Sequence, residues 1–131
     1  MSTNVFIVDD HYMVIEGIRS LLQNEKDIEL MGHAMTAASC LAFLNTHLPD
    51  VILMDINLPG ISGLDALKIL SLDPTTAHIP ILAVSANAIP RDIEKGLQAG
   101  FFRYLTKPIN VNEFMRTLDE TLSTIAKKSL R

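Results

Sequence analysis

Residues 50–60, Asp50-Val51-Ile52-Leu53-Met54-Asp55-Ile56-Asn57-Leu58-Pro59-Gly60, constrain the fold more than any other stretch of the chain. Four consecutive apolar residues, β-branched or long and aliphatic, predict a strand buried on both faces, and such strands belong to parallel sheets. An acid stands at the carboxyl end of that strand. Leu58-Pro59-Gly60 then stops it, because proline lacks an amide hydrogen and fixes φ while glycine permits the turn that follows. Asp55 is thereby expected at a strand-to-loop boundary, on the rim where open α/β sheets bind ligands. The plainer reading is that Asp55 only caps the next helix, but that helix is predicted to begin near Ser62, several residues on.

The remaining segments read as partners for this strand. Val5 to Val8 predicts a first strand ending in Asp9-Asp10, and Val14, Gly17, Ile18, Leu21 and Leu22 recur at the spacing of one helical face. Asp27 to Gly32 reads as a weaker second strand near an edge, and Ala37, Ala38, Leu41 and Leu44 mark a second helix that Pro49 closes off. Leu64, Leu67 and Leu70 define a third helix, with Asp73-Pro74 and Pro80 bracketing a loop. A fourth strand is expected from Ile79 to Val84, ending at Ser85-Ala86-Asn87. Pro90 suits the first turn of a fourth helix, with Ile93 and Leu97 facing inward and Gly100 at its end. Phe101 to Leu105 predicts a fifth strand, terminated by Thr106-Lys107-Pro108. Phe114, Leu118, Leu122 and Ile125 trace the inner face of a last helix. Five strands alternating with five helices predict a flavodoxin-like α/β fold, a doubly wound parallel sheet in the order 2-1-3-4-5. The 131 residues suit one domain, 1–131, with its core at about 4–125.

Composition excludes several classes. The net charge is -4 and the basic residues are scattered, so neither direct nucleic-acid binding nor a membrane-binding helix is expected. Cys40, the only cysteine, rules out an internal disulfide and reads as a half-buried helical residue. No apolar run is long enough to span a membrane, and Met1-Ser2-Thr3-Asn4 lacks the features of a signal peptide, so a cytoplasmic location is expected. The histidines at 11, 33, 47 and 78 lack helical pairing, which argues against a zinc site, and His11 reads as an exposed first-turn residue.

In the predicted order, the topological switch lies between strands one and three, which end in Asp9-Asp10 and Asp55. Strands four and five end nearby in Ser85 and Lys107. Three carboxylates brought together repel, and a hard divalent cation with oxygen ligands, Mg2+ above all, relieves the repulsion. A site for metal alone has no use for a hydroxyl and an ammonium. Both make sense where a phosphoryl group sits, because they address its spread negative charge. Asp55 is then the nucleophile or acceptor, forming an acyl phosphate. Taken singly, Asp10 reads as a helix cap, Ser85 as a cap or turn residue and Lys107 as a solvated lysine. Their coincidence on one rim favours the site.

These residues give the chain a close resemblance, from about Asn4 to Ile125, to the receiver domain of two-component response regulators. The motifs are the acidic pair Asp9-Asp10, Met54-Asp55-Ile56-Asn57-Leu58-Pro59 with Gly63, Ser85-Ala86, and Tyr104-Leu105-Thr106-Lys107-Pro108. Ser85 lies 30 residues beyond Asp55, and Lys107 a further 22. The resemblance implies that a histidine kinase or a histidine phosphotransfer domain donates a phosphoryl group to Asp55, with slow self-catalysed loss and no separate enzymatic turnover. It implies Mg2+ on Asp10, Asp55 and the backbone carbonyl of Asn57, with Asp9 helping directly or through water. Lys107 would pair with the acceptor and then with the phosphoryl oxygens, and a cis Lys107-Pro108 bond would aim it inward. Ser85 would move toward the phosphoryl group and Tyr104 would swing inward behind it, changing the face made by the fourth helix, fifth strand and last helix.

Arg91, Glu94, Lys95, Gln98, Arg103, Tyr104, Met115 and Arg116 mark that face as the expected seat of a partner or of a homodimer mate, although a solvated face explains the charges equally well. Asn57 and Asn87 are expected to flank the approach of a hydrolytic water. Ser62-Gly63 stands where many members of the family have Asp-Gly, and Ser85 stands for the commoner threonine. The first third looks like regulators with a DNA-binding output domain. The last third looks like receivers of hybrid sensor kinases, so a carboxyl-terminal hybrid-kinase receiver or a stand-alone receiver is expected. The rival, a Mg2+ phosphatase of the aspartyl-phosphate hydrolase type, resembles its relatives in a second aspartate two residues past the first, and Asn57 holds that place here. A flavin carrier would meet repulsion from Asp9-Asp10, and no Gly-x-x-x-x-Gly-Lys run marks a nucleotide-binding loop.

Overall fold

The computed structural model describes residues 3–129. Strands and helices alternate throughout, as β1 (Thr3–Val8), α1 (Tyr12–Leu22), β2 (Ile28–Ala34), α2 (Ala37–Phe43), β3 (Val51–Asp55), α3 (Gly63–Leu72), β4 (Ile81–Ser85), α4 (Pro90–Ala99), β5 (Arg103–Thr106) and α5 (Val111–Ser129). The strands form one parallel sheet in the order β2-β1-β3-β4-β5, the predicted flavodoxin-like arrangement. No helix among the described residues is long and apolar enough to cross a membrane.

Every residue of β3 is buried, as its unbroken apolar run requires. Successive side chains leave a strand on opposite faces, so Ile52 and Met54 join a layer with Cys40 of α2 and Leu67 and Leu70 of α3. Val51 and Leu53 join the other layer, with Ile15 and Ile18 of α1 and Phe114 and Leu118 of α5. Each fully buried aliphatic side chain contributes about 1.5–3 kcal/mol, so both layers hold the sheet. The pairing then sets the site: Val8 lies beside Met54, Asp55 beside Val84 and Ser85 beside Thr106, which brings four strand ends to one edge.

Local chemistry fixes the helix starts. The Ser62 hydroxyl accepts the Asp65 amide at 3.2 Å, and the Thr36 hydroxyl accepts that of Ser39 at 3.1 Å. Pro90 opens α4 and Gly100 closes it at φ 127°, a conformation that glycine adopts without strain. On α5, the buried Thr117 and Thr121 hydroxyls donate to Glu113 O and Thr117 O at 2.8 and 2.7 Å, which satisfies them inside the apolar layer.

Some expectations shift. The inner face of α1 is Ile15, Ile18 and Leu22, whereas Gly17 is exposed, because the helix is rotated so that Val14 and Leu21 become its half-buried flanks. Leu97 is 41% exposed, and Gly96 instead is the buried residue of α4, because the ring of Tyr104 lies against it. Cys40 is fully buried. β2 continues to Ala34, which pairs with Val8. β4 begins at Ile81, just after Pro80, which has no amide hydrogen to donate. Phe101 precedes β5 and donates its N–H to Gly96 O at the end of α4.

Candidate functional site

The site begins where β1 ends. The Asp9 amide still bonds to Ala34 O at 3.0 Å, so the backbone stays in the sheet for one residue while the carboxylate turns toward β3. Asp55 closes β3, and its Oδ1 accepts the Asn57 amide at 3.0 Å. Asp9 and Asp55 are 1% and 2% exposed, whereas the Asp10 side chain is about one-third exposed. Lys107 follows β5 directly, tied down by its amide bond to Ser85 O at 2.8 Å. The Lys107–Pro108 peptide is cis, as expected. The lysine side chain crosses the rim, placing Nζ 3.0 Å from Asp9 Oδ2 and 3.2 Å from Asp55 Oδ2.

One ammonium thus faces a group of three carboxylates. Burial pushes the Asp55 carboxyl above its ordinary pKa; the Asn57 amide lowers it, Asp9 raises it again and Lys107 only partly offsets the sum. Burial also opposes the charge on Lys107, but Asp9 and Asp55 together hold its pKa above the ordinary value. Asp9 Oδ2 and Asp10 Oδ1 are closed off from solvent, yet neither accepts an aligned hydrogen bond. Hard oxygen donors with surplus negative charge are what a divalent cation takes. Carboxylate oxygens of Asp9, Asp10 and Asp55 and a nitrogen of His11 lie within 4.8 Å of one another. Over Asp55 opens a cavity of about 330 Å³, with His11, Met13, Asn57 and Ala86 among its lining residues.

Ser85 is buried at the end of β4, but its hydroxyl accepts the Asn87 amide at 3.1 Å, the turn role weighed for it above. The Asn87 side chain donates to Asp92 Oδ2 at 2.8 Å and accepts the Ile89 amide at 2.9 Å, so its amide group is committed to the start of α4. Tyr104 is half-buried, and its hydroxyl donates to Asn87 O at 2.9 Å. Asp10 does not cap α1; the residue preceding that helix is His11, whose amide donates to Asp9 Oδ1 at 2.8 Å.

His11, read from sequence as an exposed first-turn residue, also belongs to the rim. It is 61% exposed, but Nδ1 points into the rim, 3.0 Å from Asp9 Oδ1, 3.2 Å from Asp10 Oδ1 and 3.7 Å from Asp55 Oδ2. Its position directly after the acidic pair was the available signal.

A model of the response regulator receiver domain matches residues 5–119. The polar-differentiation response regulator DivK of Brucella ovis is 36% identical over 126 residues, which cover 93% of this chain and 98% of DivK. Chemotaxis response regulator CheY4 of Vibrio cholerae superposes with a TM-score of 0.82 at 25% identity, covering 92% of this chain and 99% of that one. The receiver domain of a sensor histidine kinase from Pseudomonas aeruginosa, solved with a magnesium ion coordinated in its active site cleft, superposes with a TM-score of 0.82 at 26% identity, covering 94% and 99%. A match of this extent, both to the family model and to a relative of nearly the same length, shows that the chain belongs to the response regulator receiver domains, the phosphoacceptor modules of two-component signal transduction.

Proposed function

We propose that Asp55 is the phosphoacceptor of this receiver and that the surrounding residues divide the work of accepting, holding and reporting the phosphoryl group. The observation that carries this reading is the buried Asp55 carboxylate with Lys107 Nζ 3.2 Å from its Oδ2 and a cavity above it. An Asp55 carboxylate oxygen attacks the phosphorus of a phosphohistidine on a histidine kinase or a histidine phosphotransfer domain. The P–N bond breaks as the P–O bond forms, and the leaving imidazole keeps the electron pair. Lys107 meets the incoming oxygens with positive charge already in place, so little reorganisation is needed.

Asp10, Asp55 and the Asn57 carbonyl are the proposed holders of Mg2+, with Asp9 joining directly or through water. When bound, the ion screens the carboxylates from one another and from the phosphoryl group. Ser85 exchanges its bond with the Asn87 amide for one to a phosphoryl oxygen. That exchange loosens the loop whose Asn87 carbonyl holds Tyr104, so the phosphoryl group biases the face formed by α4, β5 and α5. A partner protein or a second copy of the chain docks on that face, which carries Arg91, Lys95, Arg103 and Arg116. Residues 1–131 act as one receiver domain in the cytoplasm, without contacting nucleic acid. The chain has no turnover of its own beyond slow loss of the phosphoryl group. Asn57 cannot transfer a proton, which leaves the phosphatase reading without its acid.

Labelling with radioactive acetyl phosphate tests the assignment. The wild type takes up label in Mg2+ and the folded Asp55→Asn variant takes up none; normal labelling of that variant would refute Asp55 as the acceptor.

A further inference from the structure

The placement of His11 bears on which ion the rim selects. Two ligand atoms each about 2.1 Å from one ion, at right angles to each other, stand about 3.0 Å apart. His11 Nδ1 lies 3.0 Å from Asp9 Oδ1 and 3.2 Å from Asp10 Oδ1, the separations of neighbouring donors around a six-coordinate ion. Its 3.7 Å separation from Asp55 Oδ2 falls between the neighbouring and opposite positions. The main chain is fixed as well: the His11 backbone amide bonds to Asp9 Oδ1, at the point where the chain turns into α1. The closed-off oxygens Asp9 Oδ2 and Asp10 Oδ1 lie 3.0 Å from Lys107 Nζ and 3.2 Å from His11 Nδ1, respectively, without an aligned hydrogen bond, which leaves carboxylate lone pairs for a cation beside the lysine. Lys107 Nζ lies 3.3 Å from the same histidine nitrogen.

We propose that His11 is a nitrogen ligand of the metal site, and that it tunes this receiver toward divalent first-row transition ions of the Mn2+ and Co2+ type over Mg2+. The proposal rests on the metal site described above. Imidazole adds little for Mg2+, which favours oxygen donors and retains water, whereas transition ions gain from a nitrogen donor. The exposed edge of the ring leaves His11 at the mouth, where it meets an ion arriving from solvent.

The alternative is that His11 only hydrogen-bonds to the carboxylates. The two readings differ in selectivity: a hydrogen-bonding ring gives way to every cation, so its removal affects all of them alike, whereas removal of a nitrogen ligand weakens the transition ions selectively. The test titrates Mg2+, Mn2+ and Co2+ into wild type and His11→Gln at pH 8, with electron spin echo spectra of the Mn2+ complex. The expected result is a nitrogen-14 coupling from one imidazole that disappears in His11→Gln, with affinity for Co2+ falling about tenfold or more and affinity for Mg2+ changing less than about threefold. Absence of the coupling in the wild type overturns the proposal, as does an equal loss or a gain for all three ions. If Mg2+ binds and Asp55 is labelled in either of those cases, the receiver reading survives alone. Failure of every ion to bind the wild type removes both.

Discussion

The ring of Tyr104 fills the space beside the bare Cα of Gly96. A methyl group at Gly96 would stand 3.2 Å from Tyr104 Cδ2 and 3.3 Å from Cε2, so the glycine is a slot in α4 shaped for the aromatic ring. With the ring seated, the hydroxyl reaches Asn87 O and links β5 to the loop that follows Ser85.

Filling that slot is expected to release the ring. Leucine is a better helix former than glycine by about 1 kcal/mol, so Gly96→Leu keeps α4 while displacing Tyr104 from it. The chain has two tyrosines, and Tyr12 is already exposed. Acrylamide quenching of tyrosine fluorescence should therefore rise, and unchanged quenching would show that the slot does not hold the ring.

Asp55→Asn is expected to stabilise the metal-free fold. The surroundings disfavour the ionised Asp55 carboxyl, first by burial and then by Asp9, so at neutral pH a neutral isostere raises the melting temperature. The folded-state pKa lies above the unfolded value, so the folded chain binds this proton more tightly. The stability that results is complete below the unfolded pKa and is lost as pH rises through the folded one. Melting curves at a series of pH values should show the variant's advantage at neutral pH shrinking as acid protonates the wild-type carboxyl. A constant gap across that range would contradict the electrostatic origin.

Gly63 is expected to tolerate no side chain. A methyl group there would collide with the Asp55 carbonyl and lie 2.7 Å from Ile56 Cα, both parts of the backbone that carries the acceptor. The Gly63 amide also bonds to Ile56 O at 2.9 Å, closing the loop tightly. Gly63→Ala should cost about 2–3 kcal/mol in urea unfolding. An unchanged midpoint would mean that the loop yields more easily than its contacts suggest.

Cys40 should resist thiol reagents. Burial pushes its pKa up to about 12, so almost no thiolate exists at pH 8. Reaction with a disulfide reagent should be slow in the native protein and rapid in urea. Fast native labelling would show that α2 opens readily.

The sheet was legible because its signals are local. An unbroken apolar run such as Val51 to Met54 states its own burial, and proline or glycine punctuates most boundaries. Helix faces were less legible, since Gly17 and Leu97 each lie beside the true inner position and periodicity alone leaves the face free to rotate by one residue. Gly96 could not be identified as buried before the ring that covers it was known. Asp9, Asp55 and Lys107 were readable from their places at strand ends, and the structure brings all three together. The inward aim of His11 depends on a single backbone turn and left only its adjacency to Asp9-Asp10 as a clue.

Lys107 lies 52 residues from Asp55 and 96 from His11 along the chain, so the rim joins segments that meet only through long loop closures. Contacts of such separation bring little reward until the intervening chain has condensed. A nascent polypeptide that has not yet docked β5 holds its acids without their lysine counterion. Chemical competence and completed topology therefore arrive together, and a chain arrested before its fifth strand cannot present a signal it has not finished folding to receive.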